Sequence, residues 1–136
     1  MTTDDNRFLP LLANRDPDAP LAWRAGVPVS ARQFLADVAR FAPTLPAEGD
    51  AVNLCGDRYA FAVSLGAALV RGRASMLPPD ARPDTISRLL ESHGSPLFAH
   101  TDASHIQTPG IERLLLEGLA GPADDAPVDV PRIDAG

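Results

Sequence analysis

Three groupings in this chain carry side chains able to do chemistry. Cys55, the single cysteine, closes the apolar run Ala51-Val-Asn-Leu-Cys55. As a thiolate it would be a nucleophile, but that needs a nearby histidine and an electropositive setting. Without them, a cysteine at a strand end is a small buried hydrophobe, and that reading is adopted. His93, His100 and His105 are the only histidines, with Asp102 among them. Imidazoles and a carboxylate could ligate a metal. Their spacings of seven and five residues give no helical i, i+4 pair and no zinc pattern. A helix-terminal His93 and loop histidines are expected instead. Asp57-Arg58-Tyr59 follows a predicted strand, where α/β folds place ligands. The competing reading, which is favoured, is a helix cap, a solvated arginine and a packed tyrosine. No catalytic, cofactor-binding or metal-ligating residue is therefore assigned. The sequence contains no Gly-x-Gly-x-x-Gly, Gly-x-Ser-x-Gly or His-Glu-x-x-His run.

The cations restrict the chemistry further. All twelve basic residues are arginines and lysine is absent. No side-chain amine can form a Schiff base or hold a phosphate as a point charge. A net charge of −6 and a pI near 4.8 argue against a nucleic-acid surface, which needs a basic patch. One cysteine excludes an intrachain disulfide and a thiolate metal cluster, and fits a reducing compartment. Met-Thr-Thr-Asp-Asp-Asn-Arg7 has neither a basic nor an apolar leader segment, so a cytoplasmic protein is expected. The apolar stretch Tyr59–Val70 is too short to span a bilayer.

The elements that must position these residues follow from periodicity and punctuation. Residues 1–20 form an N-terminal extension, read as a short docking helix or turn around Phe8-Leu-Pro-Leu-Leu12 and then an extended linker. Leu21-Ala-Trp23 and Val27-Pro-Val29 flank a Gly26 turn, a small hairpin. Ser30-Ala-Arg-Gln33 is a capping box. Phe34, Leu35, Val38, Phe41 and Ala42 then form the stripe of an amphipathic helix whose Arg32, Asp37 and Arg40 face water. Residues 51–55 are a strand. Asp57–Arg71 is a helix apolar on most sides, capped by Asp57 and ended by Gly72. Residues 74–77 are a second strand, Pro83 opens a third helix ended by Gly94, and residues 96–100 are a third strand. Ile111, Leu114 and Leu115 suggest one more short helix. Residues 121–136, rich in proline and aspartate, read as a disordered tail or linker. The fold class is α/β: a small parallel sheet with flanking helices and an N-terminal β-hairpin, a partial Rossmann-like unit over residues 21–120.

This order of pieces resembles the N-terminal subdomain of the adenylate-forming superfamily of acyl- and aryl-CoA synthetases and peptide-synthetase adenylation domains. Val29-Ser-Ala-Arg-Gln-Phe34, after a Gly-containing hairpin, is similar to the family's first core motif, a Leu-Thr-Tyr-x-Glu-Leu type sequence. Glu48-Gly-Asp50 before a strand is similar to its Gly-Asp-x-Val step. Leu69-Val-Arg-Gly-Arg-Ala-Ser-Met-Leu-Pro-Pro-Asp80 is similar to its second core motif, with Arg71 in place of lysine and Ser75 in place of tyrosine. Asn53-Leu-Cys-Gly-Asp-Arg-Tyr-x-Phe61 looks closest to a bacterial branch of acyl-CoA synthetase-like proteins linked to aryl-polyene and polyketide pigment genes. The resemblance covers about residues 20–102.

The resemblance implies ATP and Mg²⁺ as cofactors of a parent enzyme that activates a carboxylate as an acyl-adenylate and passes it to a thiol. The parts that do this in the family are absent from the sequence. It has no Ser/Thr/Gly-rich loop ending in Pro-Lys, no aromatic-Thr-Glu motif, no identifiable ribose-binding aspartate and no lysine for the adenylation transition state. The expectation is an N-terminal piece of an AMP-forming acid–thiol ligase, truncated or cut down and incompetent by itself. Its partners would be the remainder of the parent enzyme or, through exposed apolar faces, a second copy. The alternative is a standalone, non-catalytic α/β scaffold or protein-interaction module.

Overall fold

The computed structural model describes residues 8–12, 16–93, 96–103, 105–108, 110–119 and 130–134. The hairpin pairs β2 (Pro20–Arg24) with β3 (Val27–Ser30). Its two turn residues, Ala25 and Gly26, both have positive φ, 51° and 80°. That is the turn sense that matches the right-handed twist of two strands. The hairpin hands over to α1 (Ala31–Phe41) through the expected capping box. The Gln33 N–H donates to Ser30 Oγ at 3.1 Å, and the Ser30 N–H donates to Gln33 Oε1 at 2.8 Å. Phe34, Leu35 and Val38 are buried as the periodicity predicts. Pro43 falls inside a single 3₁₀ turn, Ala42–Thr44, that finishes the helix.

Beyond it the chain builds one parallel sheet. Its strands are β4 (Asp50–Asn53), β5 (Ser75–Met76), β6 (Leu97–Thr101) and β7 (Glu112–Leu115), in the spatial order β5-β4-β6-β7. The chain enters β4 through Gly49, whose φ is 109° and whose absent Cβ would lie 2.9 Å from the Pro96 carbonyl oxygen. Only glycine allows β4 and β6 to start this close together. Helix α2 (Arg58–Val70) joins β4 to β5 and helix α3 (Pro83–His93) joins β5 to β6. They cover opposite faces. Ala51 and Phe98 pack with Ala68 of α2, whereas their chain neighbours Val52 and Ala99 pack with Ile86 of α3. Asp57 caps α2 by accepting the Ala60 N–H at 3.0 Å, and Gly72 follows its end at φ 70°. The α/β class, the hairpin, α1 to α3 and the first three parallel strands are as the sequence predicts. Gly94 lies outside the described residues.

Four expectations are corrected. Residues 112–115 are not a helix but the fourth parallel strand, in register Phe98↔Glu112 to Thr101↔Leu115. A four-residue helix is unstable alone, whereas the open edge of β6 supplies ready partners for the same backbone groups. Within the N-terminal extension Phe8–Pro10 form a strand, β1, rather than a docking helix or turn, and part of the tail is its partner β8 (Arg132–Asp134). Leu11 N–H extends this antiparallel ladder to the Pro131 carbonyl at 2.8 Å. Leu11, Leu12 and Val130 pack against the cluster of Phe34, Val38, Tyr59 and Val63. Residues 121–129 and 135–136 of the proposed tail, and 1–7 and 13–15 of the N-terminal extension, lie outside the described residues. Asp37 does not face water: it is 6% exposed and accepts the Tyr59 hydroxyl at 2.7 Å.

His100 is the fourth correction. It lies in β6, as the strand over residues 96–100 requires and against the reading of it as a loop histidine, and it is buried, with Nδ1 2.6 Å from Ser64 Oγ of α2 and its ring edge-on to Phe98 at 5.5 Å. Burial pushes its pKa down from 6.5 to about 4. The unfolded chain therefore takes up a proton near pH 6.5 that the folded chain refuses until about pH 4. This contribution is fully present above pH 6.5, is lost as pH falls toward 4, and is flat below that. It amounts to about 3 kcal/mol across the window. Urea denaturation of wild type and His100→Asn between these pH values is expected to show a steeper acid loss for wild type. Parallel curves would contradict the burial of a neutral imidazole.

Candidate functional site

In an open parallel sheet, ligands bind where the strand order reverses, outside the carboxyl ends. Here that point lies between β4, flanked by β5 on one side, and β6 on the other. The residues gathered there are Cys55, Gly56 and Asp57 leaving β4 and Asp102 leaving β6. Helix α2 begins at this spot, so its free N–H groups and dipole favour an anion. The anion in place is the chain's own. Asp102 Oδ1 accepts the Gly56 N–H at 3.0 Å and Oδ2 accepts the Asp57 N–H at 2.7 Å. Asp57 Oδ2 takes the next turn's Ala60 N–H and lies 3.3 Å from Arg24 Nε.

The surrounding hydrogen bonds close the loop further. Leu54 N–H donates to the His100 carbonyl at 2.9 Å. The Asn53 side chain accepts the Cys55 N–H at 3.2 Å and donates to the Phe61 carbonyl at 3.0 Å, so both its ends are used. Arg24 crosses from the hairpin, with its guanidinium 5.8 Å from the centre of the Tyr59 ring and a bond to the Leu119 carbonyl at 3.2 Å. Tyr59 continues the chain to Asp37, which lies 3.5 Å from Arg40. Burial, and secondly its bond to the Asp37 carboxylate, hold the Tyr59 phenol well above its usual range.

Two consequences for chemistry follow. Cys55 is pushed up to about 12, by burial first and then by the Asp102 and Asp57 carboxylates. At that value the thiol stays protonated at physiological pH. The adjoining cavity, lined by Leu54, Cys55, Phe61 and Leu77 among others, is about 210 Å³. Pockets that engulf a cofactor-sized ligand run from about 300 Å³ upward. The arrangement binds its own loops together and offers no ionised nucleophile.

No protein-family model matches this sequence, and no curated protein matches it. The site is therefore read from its geometry.

Asp57 caps α2, Arg58 is exposed and Tyr59 is packed, the placements that the structural alternative expects. The histidines are not brought together. His93 Nε2 lies 3.3 Å from Asp50 Oδ2 at the opposite end of the sheet, His100 is buried in mid-strand, and His105 is exposed. Among the described residues no cluster of three or more histidine, cysteine or acidic side chains could hold a metal ion. Sequence reading missed the roles of Asp102, Arg24 and Asp37. An acid one residue past a strand is a usable signal only once the neighbouring strand's loop is known to supply N–H groups. Replacing Asp102 by alanine removes two charge-assisted bonds and is expected to cost on the order of 2 kcal/mol. The readout is the urea midpoint at constant m-value. The Cys55 thiol should then titrate lower while remaining above an ordinary cysteine, because burial is the larger cause. An unchanged midpoint would show that the carboxylate does not hold these N–H groups.

Proposed function

We propose that residues 20–102 serve as the N-terminal α/β subdomain of an AMP-forming acid–thiol ligase and that these 136 residues do not activate a carboxylate unaided. The observation that carries the reading is where the motif-like segments fall. Val29–Phe34 is the junction of the hairpin with the capping box of α1, and Glu48–Asp50 is the tight entry to β4. Leu69–Asp80 spans the end of α2, the Gly72 turn, β5 and the Asp80 turn, in which Asp80 accepts from Arg82 N–H and Thr85 Oγ. Each segment performs the backbone task that glycine, aspartate or a cap residue would be kept for. Arg71, in the position of the family's lysine, is the cap residue of α2.

Incompetence has a positive cause beyond the missing motifs. A phosphate arriving at the N-terminus of α2 would meet two carboxylates, Asp57 on the Ala60 N–H and Asp102 on the two N–H groups that precede the helix. No lysine is present to offset that charge.

The second reading, a standalone scaffold or interaction module, is favoured by the β1–β8 ladder. That ladder lays the residues just after position 130 against those just before position 12, beside the α1–α2 face. A chain closed on itself in this way needs no further subdomain to finish this part of its core. The two readings separate on the gene. A reading frame that runs past Gly136 into a Ser/Thr/Gly-rich stretch ending in Pro-Lys supports the ligase, and a stop codon there supports the module. For the 136 residues themselves, calorimetric titration with ATP and Mg²⁺ is expected to give no heat of binding. Micromolar affinity would mean that a nucleotide site exists here and would overturn the claim of incompetence.

A further inference from the structure

We propose that the groove between α1 and the end of α2 binds a monocarboxylate with an aliphatic chain, and that Arg71 receives its carboxylate. The proposal does not depend on the ligase reading. α2 starts at the switch point and runs 13 residues before it reaches this groove, a distance of about 20 Å at the rise of an α-helix.

The groove lies where α1, the last residues of α2 and the terminal ribbon meet. Leu35, Val38 and Ala39 of α1, Val70 and Arg71 of α2, and Pro131 line it. Its volume is about 380 Å³, against about 210 Å³ for the cavity beside Cys55. That is inside the range of pockets that enclose a small ligand. Every lining side chain is apolar except Arg71. Polar atoms laid against such a surface lose their water without gaining a partner. The occupant that fits is therefore mostly hydrocarbon, with one group to set its direction.

Arg71 supplies that direction. Its side chain is exposed, and among the described residues no carboxylate or carbonyl pairs with its guanidinium. This sets it apart from Arg24, Arg40 and Arg73, each of which ties loops together. Its part in capping α2 uses only the backbone N–H, which donates to the Ala67 and Ala68 carbonyls. In a chain of net charge −6, an unpaired cation beside an apolar groove is a local exception, and its complement is an anion. A planar fork of donors matches the two oxygens of a carboxylate. A phosphate dianion would want a second cation or a helix N-terminus, and the groove has neither.

The helix ends at the groove have carbonyls that would repel an anion, but these are engaged. The Ala68 and Leu69 carbonyls accept the Arg73 and Gly72 N–H groups, and the Val38 and Phe41 carbonyls accept the Ala42 N–H and the Thr44 hydroxyl. A full positive charge on Arg71 outweighs the roughly half negative charge of a helix C-terminus.

Titration of the methyl-labelled protein with octanoate, followed by NMR, tests this. Saturable shifts are expected at Val38 and Val70, with a dissociation constant on the order of 0.1 mM. Hexanoate, two methylenes shorter, should bind about tenfold more weakly. Arg71→Gln should weaken octanoate about tenfold and leave 1-octanol unchanged. Arg58→Gln, at an exposed arginine at the other end of α2, should change neither. The absence of saturable shifts at Val38 and Val70 overturns the proposal. So do shifts centred instead on Leu77 and Leu89 of the open groove beside α3. Equal affinity for the two chain lengths, or equal losses in Arg71→Gln and Arg58→Gln, overturns it as well.

Discussion

The arrangement of the carboxyl-terminal end of the sheet depends on one carboxylate. Asp102 leaves β6 and accepts the two N–H groups with which the chain turns from β4 into α2. A parallel pair of strands has no turn joining its ends, so something else must fix the loops that emerge side by side. Here a negative charge is held at the positive end of a helix, where the dipole and the free N–H groups stabilise it. From this point Asp57 reaches Arg24 of the hairpin, Arg24 reaches the Tyr59 ring and the Leu119 carbonyl, and Tyr59 reaches the buried Asp37. The hairpin, α1 and the segment after β7 are thereby tied to the sheet by one continuous polar chain.

The arginine-only cation set fits this way of joining elements. Arg73 donates to the carbonyls of Pro46, Ala47 and Gly49 at 2.7–2.9 Å, holding the turn that leads into β4. Arg40 grips the carbonyls of Glu117 and Gly118 at 2.9 and 2.8 Å. A planar fork with several fixed donors can bridge neighbouring carbonyls, whereas a compact ammonium cannot span them with the same geometry. The composition first excludes lysine chemistry, and the structure then shows several of the arginines at work as ties between loops.

How much could be read in advance differs by the reach of the interaction. The capping box of Ser30 and Gln33, the Asp57 cap and Gly72 stop of α2, and the Ala25-Gly26 hairpin turn are all set by residues within a few positions of one another. All of these were legible. β7 was not, because Ile111, Leu114 and Leu115 show no clear period over so short a run and the edge of β6 decides the outcome. Nor were β1 and β8, which pair with each other from opposite ends of the sequence. Asp37 sits at a helical position that ought to be wet, but the Tyr59 hydroxyl from α2 arrives over it. At the candidate site the Asp57 cap was legible, because the residues it joins are three positions apart. The role of Asp102 required knowing which strand lies beside β4.

The β1–β8 ladder also fixes how the molecule responds to tension. Phe8 pairs with Asp134 and Pro10 with Arg132, so the two strands present their outer ends at the same rung. A pull applied to those ends opens the rungs one after another like a zip rather than shearing all of them together. The load reaches the body of the fold only once the Leu11–Pro131 bond has parted. Stretching should therefore peel off this ribbon at low force and leave the parallel sheet intact beneath it.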